Sequence, residues 1–160
     1  MRSAQILIGL LILTGLMLPA SAKRQADIDR LINTKRCQQC DLSEADLAGA
    51  ELSGADLLGA NLQNSILRGA KLTGADLSSA NLIGADLTGA DLRDAKLHST
   101  TLREANLTSA NLTWADLYRA FLEGAKFNNA NLENANLNDA KRTGTNFCGA
   151  TMPDGTKGEC

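Results

Sequence analysis

The chain has 160 residues, a length suited to one domain, and a formal net charge of −2 at pH 7. Lysines and arginines are interspersed among the acidic residues, which excludes both a basic stripe for nucleic-acid phosphates and a strongly acidic surface. With a single histidine, His98, and four cysteines, there is little material for a metal centre.

The N-terminus has the composition of an export signal. Arg2 supplies a positive charge, residues 6–18 are almost wholly apolar, and residues 20–22 form an A-x-A cleavage site. The alternative is an uncleaved membrane anchor, but the apolar stretch would cover only about 20 Å of a ~30 Å bilayer core. Cleavage after Ala22 would remove one basic and no acidic residue, leaving 15 basic and 18 acidic residues and a net charge of −3.

A short amphipathic helix is predicted after this signal. Ile28, Leu31 and Ile32 have the i, i+3, i+4 spacing of one apolar face within residues 26–34. The acidic side chains of this segment, Asp27 among them, are expected in its first turn, where the helix dipole favours them. We expect the helix to cover an open β edge that follows it.

From Cys40 to Gly149 the chain repeats every five residues, as a small residue, a polar residue, a leucine and two variable positions. The leucines begin at Leu42 and Leu47, and alanine stands two positions before the leucine in nearly every copy. A period of five is neither helical nor that of a strand, so the chain must turn a corner in every repeat. Four sides would make one coil, and like positions would stack about 4.8 Å apart.

The arrangement A-[DN]-L-x-x, as in ADLAG, ADLLG and ANLQN, resembles the pentapeptide-repeat family. The resemblance implies an all-β fold, a right-handed quadrilateral parallel β-helix. The flanks TKRCQQCDLSEADL and FCGATMPDGTKGEC resemble those of exported cyanobacterial members, located in the periplasm or the thylakoid lumen. We therefore predict a signal peptide (1–22), an N-terminal capping helix with the segment leading into the first coil (23–39), a repeat β-helix (40–149) and a C-terminal cap tail (150–160).

The repeat register fails once, at Arg142, where the pattern requires an apolar residue. We expect the last coil to fray there and the arginine to turn to solvent. Phe147 recovers the phase and is predicted to stack one coil above Phe127.

The cysteines lie at the two ends of the repeat. The ends of such a rod would be about 25 Å apart, whereas a disulfide needs Cα atoms within ~7 Å. We therefore predict the pairs Cys37–Cys40 and Cys148–Cys160, which suit an oxidising compartment. The alternative for the C-x-x-C of Cys37 and Cys40 is a redox dithiol, but that motif belongs at a helix N-terminus in a βαβ context that this chain lacks. The same separation excludes a four-cysteine zinc site, and we predict no metal and no cofactor.

Several other residue patterns are explained by the repeat itself. Aspartates such as Asp56 and Asp76 form columns that could suggest glycosidase carboxylates, but they line a convex wall without a cleft. His98 lies at an outward position and is expected in solvent. The glycosylation sequons at Asn106 and Asn111 are by-products of the repeat. We therefore predict that the protein is not an enzyme.

Trp114, Tyr118 and Phe121 break the polar pattern of the outer positions within one coil. Tryptophan and tyrosine are enriched at binding hot spots, although single surface aromatics are also ordinary. These three residues are the candidate binding surface.

The sequence predicts an exported, non-catalytic β-helical scaffold or protein-interaction module. Its partner would be an unidentified protein, and the chain would be a monomer or weak homodimer without stable membrane anchoring once the signal is cleaved. One alternative is a nucleic-acid mimic that binds DNA gyrase, as some cytosolic relatives do; the export signal and the mild charge oppose it, and nucleic acid itself is not an expected partner. A second, less favoured alternative is a thiol–disulfide redox protein that uses Cys37 and Cys40.

Overall fold

The structure, a computed structural model, describes residues 19–160. Within this range the chain forms one helix, α1 (Ala20–Thr34), followed by isolated parallel β-bridges from Arg36 to Thr151. The most N-terminal part of the predicted signal peptide lies outside the described residues. No helix in the described part of the chain has the length and apolar character needed to cross a membrane.

The bridges join residues one coil apart in parallel register. Asp41 pairs with Asn61, and Asn61 pairs with Asn81, so a coil contains 20 residues. The N–H of Leu42 donates to the carbonyl of Asn61 over 2.7 Å, and the N–H of Asn61 donates back to the carbonyl of Cys40 over 2.9 Å. Such bridges recur every five residues and bond each coil to the next, which is the pattern of a parallel β-helix.

A β-turn forms the corner after each leucine. At the first corner of this kind the N–H of Ala45 donates to the carbonyl of Leu42 over 3.2 Å. The third residue of every such turn is left-handed, with φ of 58° at Glu44 and 64° at Gly49. Glycine adopts this conformation freely, whereas for a residue with a Cβ atom the steric cost of this conformation is about 1–2 kcal/mol.

The core consists of stacked leucines from the sides and stacked alanines from the corners. Leu57 and Ala55 are both fully buried, as are their equivalents through most of the repeat. Thr100, a buried exception at an alanine position, donates its hydroxyl to the carbonyl of Leu77 over 2.7 Å. The rings of Phe127 and Phe147 are stacked with centroids 5.2 Å apart, which confirms the prediction for this pair.

Helix α1 closes the first coil, but it differs from the predicted helix in two ways. It begins at Ala20 rather than at residue 26, so its first turn contains no acidic residue. It buries Leu31 and most of Ile28 in the core, while Ile32 is exposed instead of facing the coil. The helix starts directly after its N-cap residue Pro19, whose ψ of 148° is not helical, and the Ala-Ser-Ala-Lys run that follows is compatible with helix.

The C-terminal end is closed by the chain doubling back. Thr151 and Lys157 form an antiparallel bridge, and the N–H of Met152 donates to the carbonyl of Thr156 over 2.8 Å. Arg142 is exposed, as predicted. The predicted fraying is wrong, however, because the backbone around Arg142 keeps the register of the coils, with the N–H of Lys141 bonded to the carbonyl of Ala120.

Candidate functional site

The structure separates the three aromatic residues of the candidate binding surface around one coil. Trp114 stands on a corner and is 62% exposed. Tyr118 lies in the next corner turn and Phe121 on the side that follows it, and both are half-buried. Within residues 19–160 no ring of this set stacks on another. The three residues form a belt across two corners rather than one flat platform.

Phe121 lies between two cations supplied by the neighbouring coils. The Arg103 guanidinium is 5.1 Å and the Lys141 ammonium 5.0 Å from the centroid of its ring. Arg103 also forms an ion pair with Glu123, at 3.3 Å. Two cation–π contacts of this geometry hold the Phe121 ring in place and cover part of its π surface.

Tyr118 is also held by side chains from adjacent positions. His98 packs edge-on against its ring with centroids 5.9 Å apart, and the Arg119 guanidinium lies 4.9 Å from it. His98 in turn forms a hydrogen bond with Asp116, and Arg119 pairs with Asp139 at 3.6 Å. The prediction that His98 is only a solvated side chain is therefore incomplete. The residues that His98 contacts are 18 and 20 positions away in sequence, and the 20-residue coil brings such positions next to each other.

Several carboxylates of the outer columns have lowered pKa values, among them those of Asp76, Asp86, Asp91 and Asp116. Burial alone would raise the pKa of Asp116, but hydrogen bonds from His98, the Tyr118 N–H and Asn136 lower it below the usual value. At Asp91 the hydrogen bond from the Arg93 side chain is the main cause of a lowered pKa. A general acid needs a raised pKa, and the pKa values of Asp91 and Asp116 are shifted in the opposite direction.

A second cluster, which sequence reasoning did not find, lies between α1 and the first coil. The buried carboxylate of Asp27 accepts the N–H of Asp41 at 3.0 Å and pairs with the Arg30 guanidinium at 2.5 Å. In the coils above, the equivalent N–H donates to a carbonyl of the coil below. Asp27 thus replaces the carbonyl that the first coil lacks. The i, i+3 spacing of Asp27 and Arg30 is the only sequence signal for this pair.

The same cluster includes the C-x-x-C motif. Cys37 and Cys40 are disulfide-bonded with Cα atoms 5.2 Å apart, and they are 0% and 2% exposed. The Arg30 guanidinium lies 2.9 Å from the Cys40 sulfur, and the Cys37 sulfur lies 3.2 Å from the Asp27 carbonyl oxygen. Only after reduction to thiolates would these sulfurs, with the Asp27 carboxylate, offer three metal-ligand atoms within 4.8 Å of one another. Protein contacts already engage all three of those atoms.

An open groove lies beside this cluster. It has a volume of about 920 Å³ and is lined by Arg30, Thr34, Arg36, Gln38 and Asp56. At the other end of the rod Cys148 and Cys160 form the second disulfide, with Cα atoms 4.3 Å apart, and Cys160 is exposed. The two disulfides therefore differ in burial and in their polar surroundings.

The comparisons with known proteins agree with the coil architecture. The family profile Pentapeptide repeats matches the chain in eight copies, over residues 40–78, 70–108, 85–124 and 115–152. No curated protein matches the chain.

Three solved structures illustrate the similarity. HetL, a pentapeptide repeat protein involved in heterocyst differentiation regulation in the cyanobacterium Nostoc sp. strain PCC 7120, is 31% identical, with a TM-score of 0.54; the match covers 77% of this chain and 76% of HetL. A pentapeptide repeat protein from the Arabidopsis thaliana thylakoid lumen is 33% identical over 69% of this chain and 70% of its own, with a TM-score of 0.37. QnrB1, a plasmid-mediated fluoroquinolone resistance protein, is 24% identical, with a TM-score of 0.67 and coverage of 71% and 61%, a likeness that concerns the fold alone.

The repeat from the first coil to the last is matched by the family profile, and the solved relatives imply a right-handed β-helix. Members of this family are generally non-catalytic structural or interaction modules. The chain belongs to the pentapeptide repeat family.

Proposed function

We propose that this protein is a rigid, exported scaffold of quadrilateral cross-section that binds another protein through the aromatic belt of Trp114, Tyr118 and Phe121. The observation that carries the proposal is Trp114, a large apolar side chain that is 62% exposed on a corner. Most other corner residues of the same type are glycine or small polar residues. An exposed tryptophan on the same coil as pre-ordered tyrosine and arginine side chains has the composition of a protein-binding hot spot.

The charge around the belt favours a protein partner over an anionic polymer. Arg103 is paired with Glu123, and Arg119 with Asp139, so the belt is close to neutral overall. The cations hold the rings of Tyr118 and Phe121 in place, which reduces the side-chain entropy lost on binding. A partner would therefore gain most by covering the Trp114 ring and the exposed edges beside it.

The gyrase-binding alternative requires an acidic surface that imitates nucleic acid. Here the columns of acids are interrupted by cations that pair with them, as Arg68 does with Asp86 at 2.5 Å and Arg93 with Asp91 at 2.7 Å. The similarity to QnrB1 concerns the fold alone, and the charge pattern gives no support to this alternative.

Site-specific photocrosslinking tests the proposed surface. A photoreactive phenylalanine derivative would replace Tyr118 in the protein expressed in its own host. We expect it to crosslink to a discrete partner in the exported fraction, and we expect Trp114→Ala to reduce that adduct severalfold. The same derivative at Leu58, an exposed apolar residue on the same side of the rod but in a lower coil, is the matched control.

Two results would count against the proposal. Equal adducts from positions 118 and 58 would show nonspecific contact, and no adduct from either position would leave the belt without a partner.

The export part of the proposal is tested separately by N-terminal sequencing of the protein from its host, which should begin at Lys23.

A further inference from the structure

We propose that Cys37 and Cys40 form a reversible dithiol–disulfide centre in the N-terminal cap, in which Arg30 and Asp27 hold the reduced sulfurs and a protein dithiol is the reductant. The inference goes beyond the scaffold function and does not depend on the aromatic belt. It rests on the contacts that each sulfur already makes.

Each sulfur has the partner that its reduced form would need. The Arg30 guanidinium is 2.9 Å from the Cys40 sulfur and would donate to a thiolate there. The Asp27 carbonyl oxygen is 3.2 Å from the Cys37 sulfur and would accept a thiol S–H. A disulfide has no charge and no donor, so a purely structural bridge requires neither partner. Reduction at this place would leave no buried sulfur unsatisfied.

The second disulfide provides an internal comparison. Neither sulfur of Cys148 and Cys160 has a polar contact with any residue in the described range 19–160. This bridge fastens the C-terminal tail, whose exposed end it joins to the last coil. Its environment is that of a staple, whereas the environment of Cys37 and Cys40 includes a cation and a carbonyl placed at the sulfurs.

The backbone around the first disulfide is held without it. The N–H of Cys40 donates to the carbonyl of Cys37 over 3.3 Å, which is the same turn that every other corner forms without a disulfide. The N–H of Cys37 donates to the carbonyl of Asp56 over 2.7 Å, and that of Gln39 to Leu58 over 2.9 Å. Breaking the S–S bond therefore removes no backbone hydrogen bond of the coil.

The burial of the sulfurs makes their reduction a gated step. Both lie beneath α1, and Arg30 separates them from the open groove that also includes Thr34 and Arg36. A reductant would reach them from this groove when the C-terminal turns of α1 move aside. The slow access distinguishes this centre from a catalytic thioredoxin-like dithiol, whose attacking sulfur is exposed.

The exchange can be written with its electrons and protons. A thiolate of the dithiol attacks the Cys37 sulfur, the S–S bond breaks, and the Cys40 sulfur leaves as a thiolate that Arg30 stabilises. The mixed disulfide now joins the Cys37 sulfur to the first sulfur of the reductant. The second thiol of the reductant attacks that first sulfur and releases the Cys37 sulfur, which takes a proton. The reductant is oxidised to its disulfide, two electrons reach the protein, and the proton of the second thiol is the one that Cys37 takes, so Cys40 remains a thiolate.

The test uses the purified protein in glutathione or dithiothreitol buffers, with alkylation of free thiols and mass spectrometry that resolves the two disulfides. In wild type we expect Cys37–Cys40 to be reduced and reoxidised reversibly, while hydrogen exchange shows that the amides of Leu31 and Asp41 stay protected. Loss of that protection on reduction, or no reduction of this pair in the native protein, would overturn the proposal.

A charge variant tests the role of Arg30 separately. We expect Arg30→Gln to lower the equilibrium constant for reduction of Cys37–Cys40 about tenfold, because the thiolate loses a charge-assisted hydrogen bond. Arg30→Lys should restore part of it, and Arg36→Gln, at the same groove without a sulfur contact, should match wild type. Equal constants for Arg30→Gln and Arg36→Gln would refute the assignment of Arg30.

Discussion

Trp114 occupies a corner whose backbone is left-handed, with φ of 63°, and it contributes little to the core because most of its side chain is in solvent. A residue with a Cβ atom is disfavoured in this conformation. We expect Trp114→Gly to raise the free energy of unfolding by about 0.5–1 kcal/mol, as measured by urea denaturation. A stability loss instead would mean that the Trp114 ring packs on the rod in solution, and the binding proposal would be weakened.

Gly54 supplies the opposite substitution at an equivalent corner. Its φ is 66°, and a Cβ atom added there would meet no atom within 4 Å. Gly54→Ala should therefore lower the free energy of unfolding by roughly 1 kcal/mol through backbone conformation alone. The same urea titration gives the value, and an unchanged midpoint would show that the corners tolerate side chains without cost.

The paired aspartates predict how stability depends on pH. Hydrogen bonds lower the folded-state pKa values of Asp76, Asp86, Asp91 and Asp116 from the ordinary 3.8. A lowered folded pKa means that the stabilisation is complete above the unfolded value and is lost as pH falls through the folded values. We expect the Tm to be constant near neutral pH and to fall below about pH 4. Asp91→Asn should flatten that decline, and a steeper decline in this variant would contradict the assignment.

At the scale of the element, α1 is held by the polar contacts of Asp27 as well as by its apolar face. The carboxylate accepts the N–H of Asp41 in place of a missing coil and pairs with Arg30. Asp27→Ala leaves a part-buried donor without its partner and should lower the free energy of unfolding by about 1–3 kcal/mol. Hydrogen exchange at the Asp41 amide should accelerate in the same variant.

Asp29 is the matched control for this prediction. It lies on the exposed side of α1, where it accepts a hydrogen bond from Gln25 at 2.9 Å. Asp29→Ala should change stability by less than about 0.5 kcal/mol. Similar losses from both alanine variants would mean that the charge of α1, and not the cap contact of Asp27, stabilises the first coil.

The elements differ in how far the sequence predicts them. The existence of α1 follows from its apolar spacing, but its start does not, because Ala-Ser-Ala-Lys is compatible with both a cleavage site and a helix. The role of Asp27 could not be predicted, since a helix sequence does not show which side chain meets the unpaired N–H of a coil. The partners of Phe121 and Tyr118 were missed for a different reason. Arg103, Lys141 and His98 lie 18 or 20 residues from the ring that each contacts, and the periodic pattern does contain that information.

At the scale of the whole molecule, the repeat determines the packing of the interior, whereas individual residues determine how each end of the coil stack is closed. Leucine and alanine at fixed positions produce the same buried columns in every coil, so the core could be predicted from one repeat. The last coil differs because no further coil is stacked above it in the structure. Leu137, Phe147 and Met152 are partly exposed there, and the tail covers only part of the end.

Arg142 stands in this end face, directly above the buried Leu122 in the same column, and it is exposed. A charge at an inward position of an open edge opposes the stacking of another coil. We expect Arg142→Leu to make the end face continuous and apolar and to produce a dimer, seen by size-exclusion chromatography with light scattering. Arg142→Lys keeps the charge and should elute like wild type. If Arg142→Leu also elutes like wild type, the C-terminal tail, rather than the arginine, prevents end-to-end association.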